Sequence, residues 1–245
     1  MGKAPEKPNE LFQPVTADYA RIFADDLVSI VLYGSAASSD YQPGRSDINL
    51  MIVLTDQGID HLEQALPLVE KWRKKHVAVP LFLTPHYVRS SVDVFPLEYL
   101  DLQHRHVLVH GRDILSDLSF DPEHIRLQCE REIKGKLLLL REAFLRAGGK
   151  KRELVEVISS SLQSFMAIFK GLLFLKNQDL PDSNREIISA ACTSCHLKGD
   201  LFLHLLDVRQ GRSRPDEAQT RKLFLDYLKE VKSLSTHVDQ EETAA

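Results

Sequence analysis

A short segment, residues 32–54, holds side chains whose types and spacing could perform chemistry. Gly34 and Ser35 end one apolar run, and Asp47 and Asn49 open the next. A glycine lets backbone approach a phosphate closely, and a serine with unpaired amides at a helix start can hold it. Polar side chains at positions i and i+2 of a strand share one face, where they can bind metal ions that bridge phosphate oxygens. Such a pattern is typical of a phosphate-binding turn beside a metal-binding strand, and the competing interpretation is an ordinary turn followed by an exposed aspartate.

The segments around these residues predict a sheet with flanking helices. Apolar and β-branched runs predict strands at 28–33, 47–54, 77–83 and 107–110, and the loop 38–45 is rich in turn-forming residues. Thr16 is predicted to cap a helix that runs to about residue 27. A second helix, 56–75, contains Pro67, which should kink or split it.

After about residue 116 the pattern becomes helical. Apolar residues recur every three or four positions, and Asp121-Pro122 has the form of a helix cap followed by a first-turn proline. Ser183 and Glu186 form a capping box that opens a later helix, in which Gly199 predicts a break. We expect a flexible arm at 1–15, an α/β domain at 16–118, a helical bundle at 119–238 and an acidic tail at 239–245.

The string from Leu32 to Leu54 resembles the nucleotidyltransferase superfamily, which includes DNA polymerase beta, the aminoglycoside nucleotidyltransferases and the minimal nucleotidyltransferases. In that family a strand ends in Gly-Ser, and the next strand carries two carboxylates two residues apart. Gly34, Ser35 and Ser46 match the nucleotide-binding positions, and Asp47 matches the first carboxylate. The resemblance implies an α+β fold, in which a mixed sheet with flanking helices precedes a C-terminal helical bundle.

The carboxylate set departs from the family pattern. Asn49 stands where the second carboxylate is expected, and its neutral carbonyl could touch a metal but adds no charge. The third acid should come from the strand near 76–84, which contains none. Asp93, Glu98 and Asp101 follow that strand, and whether one of them substitutes is left open. The resemblance implies Mg²⁺ as cofactor, but Asp47 and Asn49 would hold it weakly because magnesium depends on carboxylate charge.

Three functions remain open at this point. The first is transfer of a nucleotidyl group from a nucleoside triphosphate to an acceptor hydroxyl of unknown identity, with Asp47 and Asn49 as catalytic residues. The incomplete acid set favours transfer that is weakened or lost. The second is a non-catalytic nucleotide-binding or scaffold protein that kept the fold, and the third is a regulatory interaction protein. The helical domain of such proteins often dimerises, so the resemblance also allows a homodimer.

Composition restricts the partners and the compartment. The chain of 245 residues is 43% hydrophobic and 27% charged with a net charge of −4, so no basic field favours nucleic acid. The apolar stretch 165–175 is short and contains Lys170, which predicts a buried helix and no membrane partner. Three cysteines are too few for a disulfide framework, and we expect a cytoplasmic protein.

Two further motifs have an alternative reading. Cys192, Cys195 and His196 spell the CxxCH pattern of covalent haem attachment, but the helical periodicity around them favours ordinary helix cysteines. The cluster of His104, His106 and His110 could bind a substrate or a metal. If residues 104–106 belong to a strand, alternation places His104 and His106 on one face. Solvated or hydrogen-bonded surface histidines are the competing interpretation.

Overall fold

The computed structural model describes residues 5–44 and 46–240. It divides into two compact units. The first contains the residues up to 95 together with residues 99–119, and the second contains residues 96–98 and those from 120 onward.

The first unit is built on a four-stranded mixed sheet. The strands are β1 (Leu27–Tyr33), β2 (Asn49–Leu54), β3 (Leu81–Leu83) and β4 (His106–Gly111), in the order β3-β2-β1-β4. Strand β1 runs antiparallel to both β2 and β4, whereas β3 runs parallel to β2. The central strand β1 is therefore hydrogen-bonded on both sides.

Helices α1 to α5 precede or connect these strands. They are α1 (Phe12–Phe23), α2 (Asp56–Ile59), α3 (Leu66–Arg73), α4 (Pro85–Ser90) and α5 (Pro96–His104). One face of the sheet, with Ile30 and Ile52, packs against Tyr19 of α1 and Trp72 of α3 in a continuous apolar core. The predicted 56–75 helix is split into α2, a 3₁₀ turn and α3, as Pro67 near the start of α3 indicated.

Helix α1 begins four residues before the predicted cap at Thr16. Leu11, Val15 and Tyr19 are buried at intervals of four residues, so they form an apolar face that the sheet covers. Residues 8–15 are therefore helical and packed, unlike the flexible arm predicted for 1–15. Residues 1–4 of that arm lie outside the described part of the chain.

Strands β2 and β3 are shorter than the sequence predicted. Asp47 precedes β2, and only an isolated bridge between Ile48 and Val77 extends the pairing toward it. Strand β3 contains three residues because the segment before it includes Pro80, which has no N–H to donate to a neighbouring strand.

The second unit is a helical bundle. Its helices are α6 (Pro122–Ala147), α7 (Lys151–Leu175), α8 (Asn184–Ser194), α9 (Gly199–Arg209) and α10 (Glu217–Gln240). The Asp121 side chain caps α6, and the predicted capping box of Ser183 and Glu186 opens α8. Helix α10 continues through Asp239 into the predicted acidic tail, and residues 241–245 lie outside the described chain. The predicted α+β class, a mixed sheet with helices followed by a helical region, is confirmed.

Helix α7 forms the centre of the bundle. By length and composition alone it is apolar enough to cross a membrane, but 56% of its most apolar stretch of 18 residues is buried inside the protein. Leu162, Phe165 and Phe169 have no exposed surface. This burial is what a core helix of a bundle requires, and it matches the buried helix predicted at 165–175.

Candidate functional site

The turn after β1 lies directly beside the start of β2. Gly34 has a φ of +73°, and residues Gly34–Ala37 form a single 3₁₀ turn. The register pairs Tyr33 with Asn49, and a Cβ atom added at Gly34 would lie 3.1 Å from the Asn49 Nδ2 atom. The structure thus brings the predicted glycine turn and Asn49 together.

The loop after this turn holds it closed. The Ser35 carbonyl accepts hydrogen bonds from the Ser38 N–H at 3.2 Å and the Ser38 hydroxyl at 3.1 Å. The Ser38 hydroxyl in turn accepts from the Asp40 N–H at 3.3 Å. The Ser35 side chain is half-buried at this position. The sequence analysis did not single out Ser38, whose only local signal was its place in a turn-rich loop.

Ser46 has a structural task in the same loop. Its hydroxyl accepts a hydrogen bond from the Gln42 N–H at 3.1 Å, and its own N–H donates to the Gln42 carbonyl at 2.8 Å. The next residue, Asp47, has an exposed side chain, while Ile48 is buried in the core. Asp47 and Asn49 therefore flank a residue that anchors the segment to the opposite side.

The neighbouring strand presents apolar side chains where a third carboxylate would be needed. Met51 shares a face of β2 with Asn49 by the alternation of strand residues, and it pairs with Leu81 of β3. The side chains of Leu81 and Val79 are 42% and 62% exposed. Neither of these two side chains offers an oxygen ligand to an ion.

The three substitute acids considered from the sequence have separate environments. Glu98 accepts a hydrogen bond from the Gln128 side chain at 2.7 Å within the second unit. Asp93 is exposed in the turn after α4, and Asp101 belongs to α5, where its carbonyl accepts from the Arg105 N–H. Across residues 5–44 and 46–240, no three His, Cys, Asp or Glu side chains come close enough together to hold a metal ion.

The residues at the turn do not fit a pair of magnesium ions. One carboxylate, Asp47, and one neutral amide, Asn49, supply too little negative charge for two divalent cations that prefer carboxylate oxygens. A Cβ atom added at Gly34 would meet the amide nitrogen of Asn49, and such a nitrogen donates hydrogen bonds and does not ligate a cation. The same nitrogen is suited to donate a hydrogen bond to an anion in the turn.

An ion pair between a buried arginine and a half-buried aspartate lies next to the turn and was not predicted. Arg105 is 8% exposed, and its Nη1 atom lies 3.3 Å from the Asp40 carboxylate. The following residue, His106, pairs with Tyr33 in the sheet. Arg105 thus ties the loop after the turn to the start of β4. The sequence analysis singled out the histidines on either side of it, His104 and His106. The structure shows that Arg105 between them carries the buried charge. Burial raises the pKa of Tyr33, which precedes the turn.

The histidine cluster is divided between elements. His104 ends α5 and His106 begins β4, so the condition for their common face, that both belong to one strand, is not met. His106 lies 3.0 Å from the Asp113 carboxylate through Nε2 and 3.0 Å from the Gln103 carbonyl through Nδ1. Burial opposes ionisation of Asp113, but hydrogen bonds from His106 and two backbone amides prevail and lower its pKa. His106 is therefore hydrogen-bonded within the fold.

The CxxCH cysteines lie inside the bundle. Cys192 and Cys195 are 1% and 3% exposed, and burial raises the pKa of the Cys192 thiol to about 12. Such buried, protonated thiols behave as small apolar side chains. Their environment agrees with helix cysteines of the core.

The mixed sheet, the glycine turn against the start of the second strand and the helical region together define the nucleotidyltransferase fold. No protein-family model matches the sequence, and no curated protein matches it. The solved structure of spectinomycin adenyltransferase AAD(9) from Enterococcus faecialis, determined with ATP and spectinomycin, is similar with a TM-score of 0.52. The similarity covers 94% of this chain and 99% of that chain at 11% identity. The predicted likeness to the nucleotidyltransferases is thereby confirmed at the level of fold.

Proposed function

We propose that this chain binds a nucleoside triphosphate at the Gly34 turn and that its nucleotidyl transfer to an acceptor hydroxyl is weakened or lost. One observation carries this proposal. The glycine turn lies against Asn49, while Leu81 of β3 and the nearby Val79 occupy the place from which a further carboxylate would act. Such a site can bind an anion through hydrogen-bond donors, but it lacks the negative charge needed to hold two metal ions.

The binding residues act through hydrogen bonds. Backbone amides of the Gly34–Ala37 turn and the Ser35 hydroxyl are donors suited to phosphate oxygens. The Asn49 amide nitrogen, adjacent to Gly34, adds a donor from the facing strand. The fold's likeness to AAD(9), a protein solved with ATP, supports a nucleotide as the anion.

Calorimetric titration of ATP and GTP, with and without Mg²⁺, tests the proposal. We expect the wild type to bind nucleotide with little dependence on magnesium. Asn49→Asp replaces a donor by a negative charge, so metal-free binding should weaken about tenfold and become dependent on magnesium. Asn9→Asp makes the same chemical change at an exposed position of the first unit and should leave binding unchanged.

A transfer assay separates weak catalysis from binding alone. Labelled nucleoside triphosphates are incubated with Mg²⁺ or Mn²⁺ and a panel of hydroxyl acceptors, using wild type and Asp47→Ala. Little or no transfer is expected. Vigorous transfer that Asp47→Ala abolishes would overturn the proposal in favour of an active nucleotidyltransferase. Absence of nucleotide binding under every condition would reject the site and leave the scaffold function, the second candidate.

We also propose a cytoplasmic location and no membrane partner. The three cysteine thiols are buried without disulfide bonds, which suits a reducing compartment. We assign no acceptor for residual transfer. The panel of hydroxyl acceptors in the transfer assay tests for one.

A further inference from the structure

Helix α6 exposes leucines on the side that faces away from its bundle neighbours. We call this surface the α6 outer face and define it by Leu127, Arg131, Gly135, Leu138, Glu142 and Leu145. Leu127, Leu138 and Leu145 are 48%, 64% and 78% exposed. These leucines lie along one helix face and form an apolar stripe that Arg131 and Glu142 interrupt, and apolar surface bordered by polar groups is typical of interaction sites.

The stripe has no role in the bundle itself. Helix α6 packs against α7 and α10 through a different side, where Ile133, Leu137 and Leu140 are buried. At 3.6 residues per turn, the α6 outer face lies opposite those residues. Its leucines therefore contribute nothing to the core of the second unit.

Gly135 is a second observation on the same surface. It lies in the middle of α6, where glycine costs about 1 kcal/mol relative to alanine. A Cβ added there would meet nothing within 4 Å. The bundle therefore does not require glycine at this position, whereas a second helix crossing the face closely would benefit from the missing side chain.

We propose that the α6 outer face binds the same face of a second copy of this chain, with the two helices antiparallel. The twofold axis would pass between Lys136 and Leu137, so that Leu138 of each copy lies over Gly135 of the other. A leucine then fills the space above a glycine twice, as an isologous interface requires.

The charges of the face are complementary to themselves in this arrangement. Arg131 of one copy meets Glu142 of the other, and the reciprocal pair forms by symmetry. Within one helix these two residues are about 16 Å apart along the axis and cannot pair. Glu142 instead contacts Arg146 of its own chain. The aliphatic stem of Arg146 would then cover the partner Leu127. This complementarity favours a second copy over an unrelated apolar partner.

The size of the face indicates weak association. From Leu127 to Leu145 the stripe extends about 27 Å along one helix. A single-helix contact of this length is smaller than the interfaces of about 1,200 Å² or more that give stable complexes. We therefore expect a monomer–dimer equilibrium that depends on protein concentration.

Sedimentation velocity of the full chain over a concentration series tests the pairing. The wild type should shift from monomer to dimer as concentration rises. Arg131→Glu and Glu142→Arg should each weaken dimerisation about tenfold, because two attractive contacts become two repulsive ones. The double variant Arg131→Glu/Glu142→Arg should restore the dimer. Failure of the double variant to restore it would overturn the antiparallel arrangement.

A glycine substitution separates dimer loss from misfolding. Gly135→Gln fills the space that Leu138 of the other copy would occupy, so the dimer should be lost. Thermal stability of the monomer should rise, since glutamine is the better helix former. Leu225→Gln on α10, 39% exposed and off the face, should not affect assembly. The proposal would be wrong if the wild type stays monomeric at its highest soluble concentration. It would also be wrong if Gly135→Gln leaves the dimer intact.

Discussion

At the residue scale, the backbone of Gly34 sets the geometry of the candidate site. Its φ of +73° lies in the left-handed region, and its missing side chain admits the Asn49 amide at close range. The same residue thus fixes both the shape of the turn and the distance to β2. Any larger residue must displace one of the two.

Gly34→Ala should lower stability by about 1–2 kcal/mol through its left-handed backbone and should also abolish nucleotide binding. Gly211→Ala is the matched control, because Gly211 has a φ of +74° and nothing within 4 Å of an added Cβ. Gly211→Ala should lose a similar amount of folding stability, because alanine disfavours the left-handed backbone, but it should bind nucleotide with unchanged affinity. Urea denaturation and calorimetry measure the two effects. Full affinity in Gly34→Ala would show that the nucleotide site lies elsewhere.

The residues of the site differ in how far the sequence could predict them. Gly34 and Asn49 belong to a local pattern of strand, turn and strand, so their proximity followed from spacing. The pair of Arg105 and Asp40 joins segments far apart in sequence, and nothing local distinguishes a buried arginine from an exposed one. The hydrogen bond from the Gln42 N–H to the Ser46 hydroxyl could not be predicted either. Hydrogen bonds inside a loop leave no periodic pattern in the sequence.

At the element scale, the helix ends depend on individual side chains. The Ser183 hydroxyl caps α8 by accepting a hydrogen bond from the Glu186 N–H at 3.2 Å. The Glu186 carboxylate accepts one from the Ser183 N–H at 3.4 Å. Both halves of the capping box are therefore formed. They satisfy backbone donors that have no partner inside the helix.

Ser183→Ala should destabilise the protein by about 1 kcal/mol because the first turn of α8 loses its acceptor. Ser189→Ala removes a hydroxyl that donates to the Arg185 carbonyl in the middle of the helix, so its effect should be small. Chemical denaturation of both variants measures the difference. Equal losses would mean that the cap does not determine the start of α8.

The elements most visible in the sequence were the long periodic helices and the capped starts. Asp121 and Ser183 marked α6 and α8 correctly because capping chemistry is local. The start of α1 was misplaced, since its first turn is held by burial of Leu11 and Val15 against the sheet. Burial by distant elements cannot be derived from the segment alone.

At the scale of the whole molecule, nucleotide binding should affect one unit selectively. In hydrogen exchange with ATP at ten times its dissociation constant, amides at 34–37 and 46–50 should exchange about tenfold more slowly. Helices α8 and α9 of the second unit should be unchanged. Slower exchange confined to the helical unit would contradict the assignment of the nucleotide to the Gly34 turn.

The class of fold was predictable because all strand patterns fall in the first half of the chain, whereas the second half is helical throughout. The order of the strands was not, because β4 pairs with β1 after a long intervening segment, and pairing partners over such separations leave no local trace. The three-residue length of β3 was equally hidden. It reflects how Pro80 interrupts hydrogen bonding to a neighbour.

The strand order has a consequence for synthesis of the protein. Strand β1 lies between β2 and β4, and β4 is not complete until Gly111 has been added to the chain. During translation the hairpin of β1 and β2 must wait on the ribosome with one edge unpaired, because its remaining neighbour has not yet emerged. A nascent chain paused before β4 has emerged would present this unpaired edge of β1 to chaperones or to other unfolded chains.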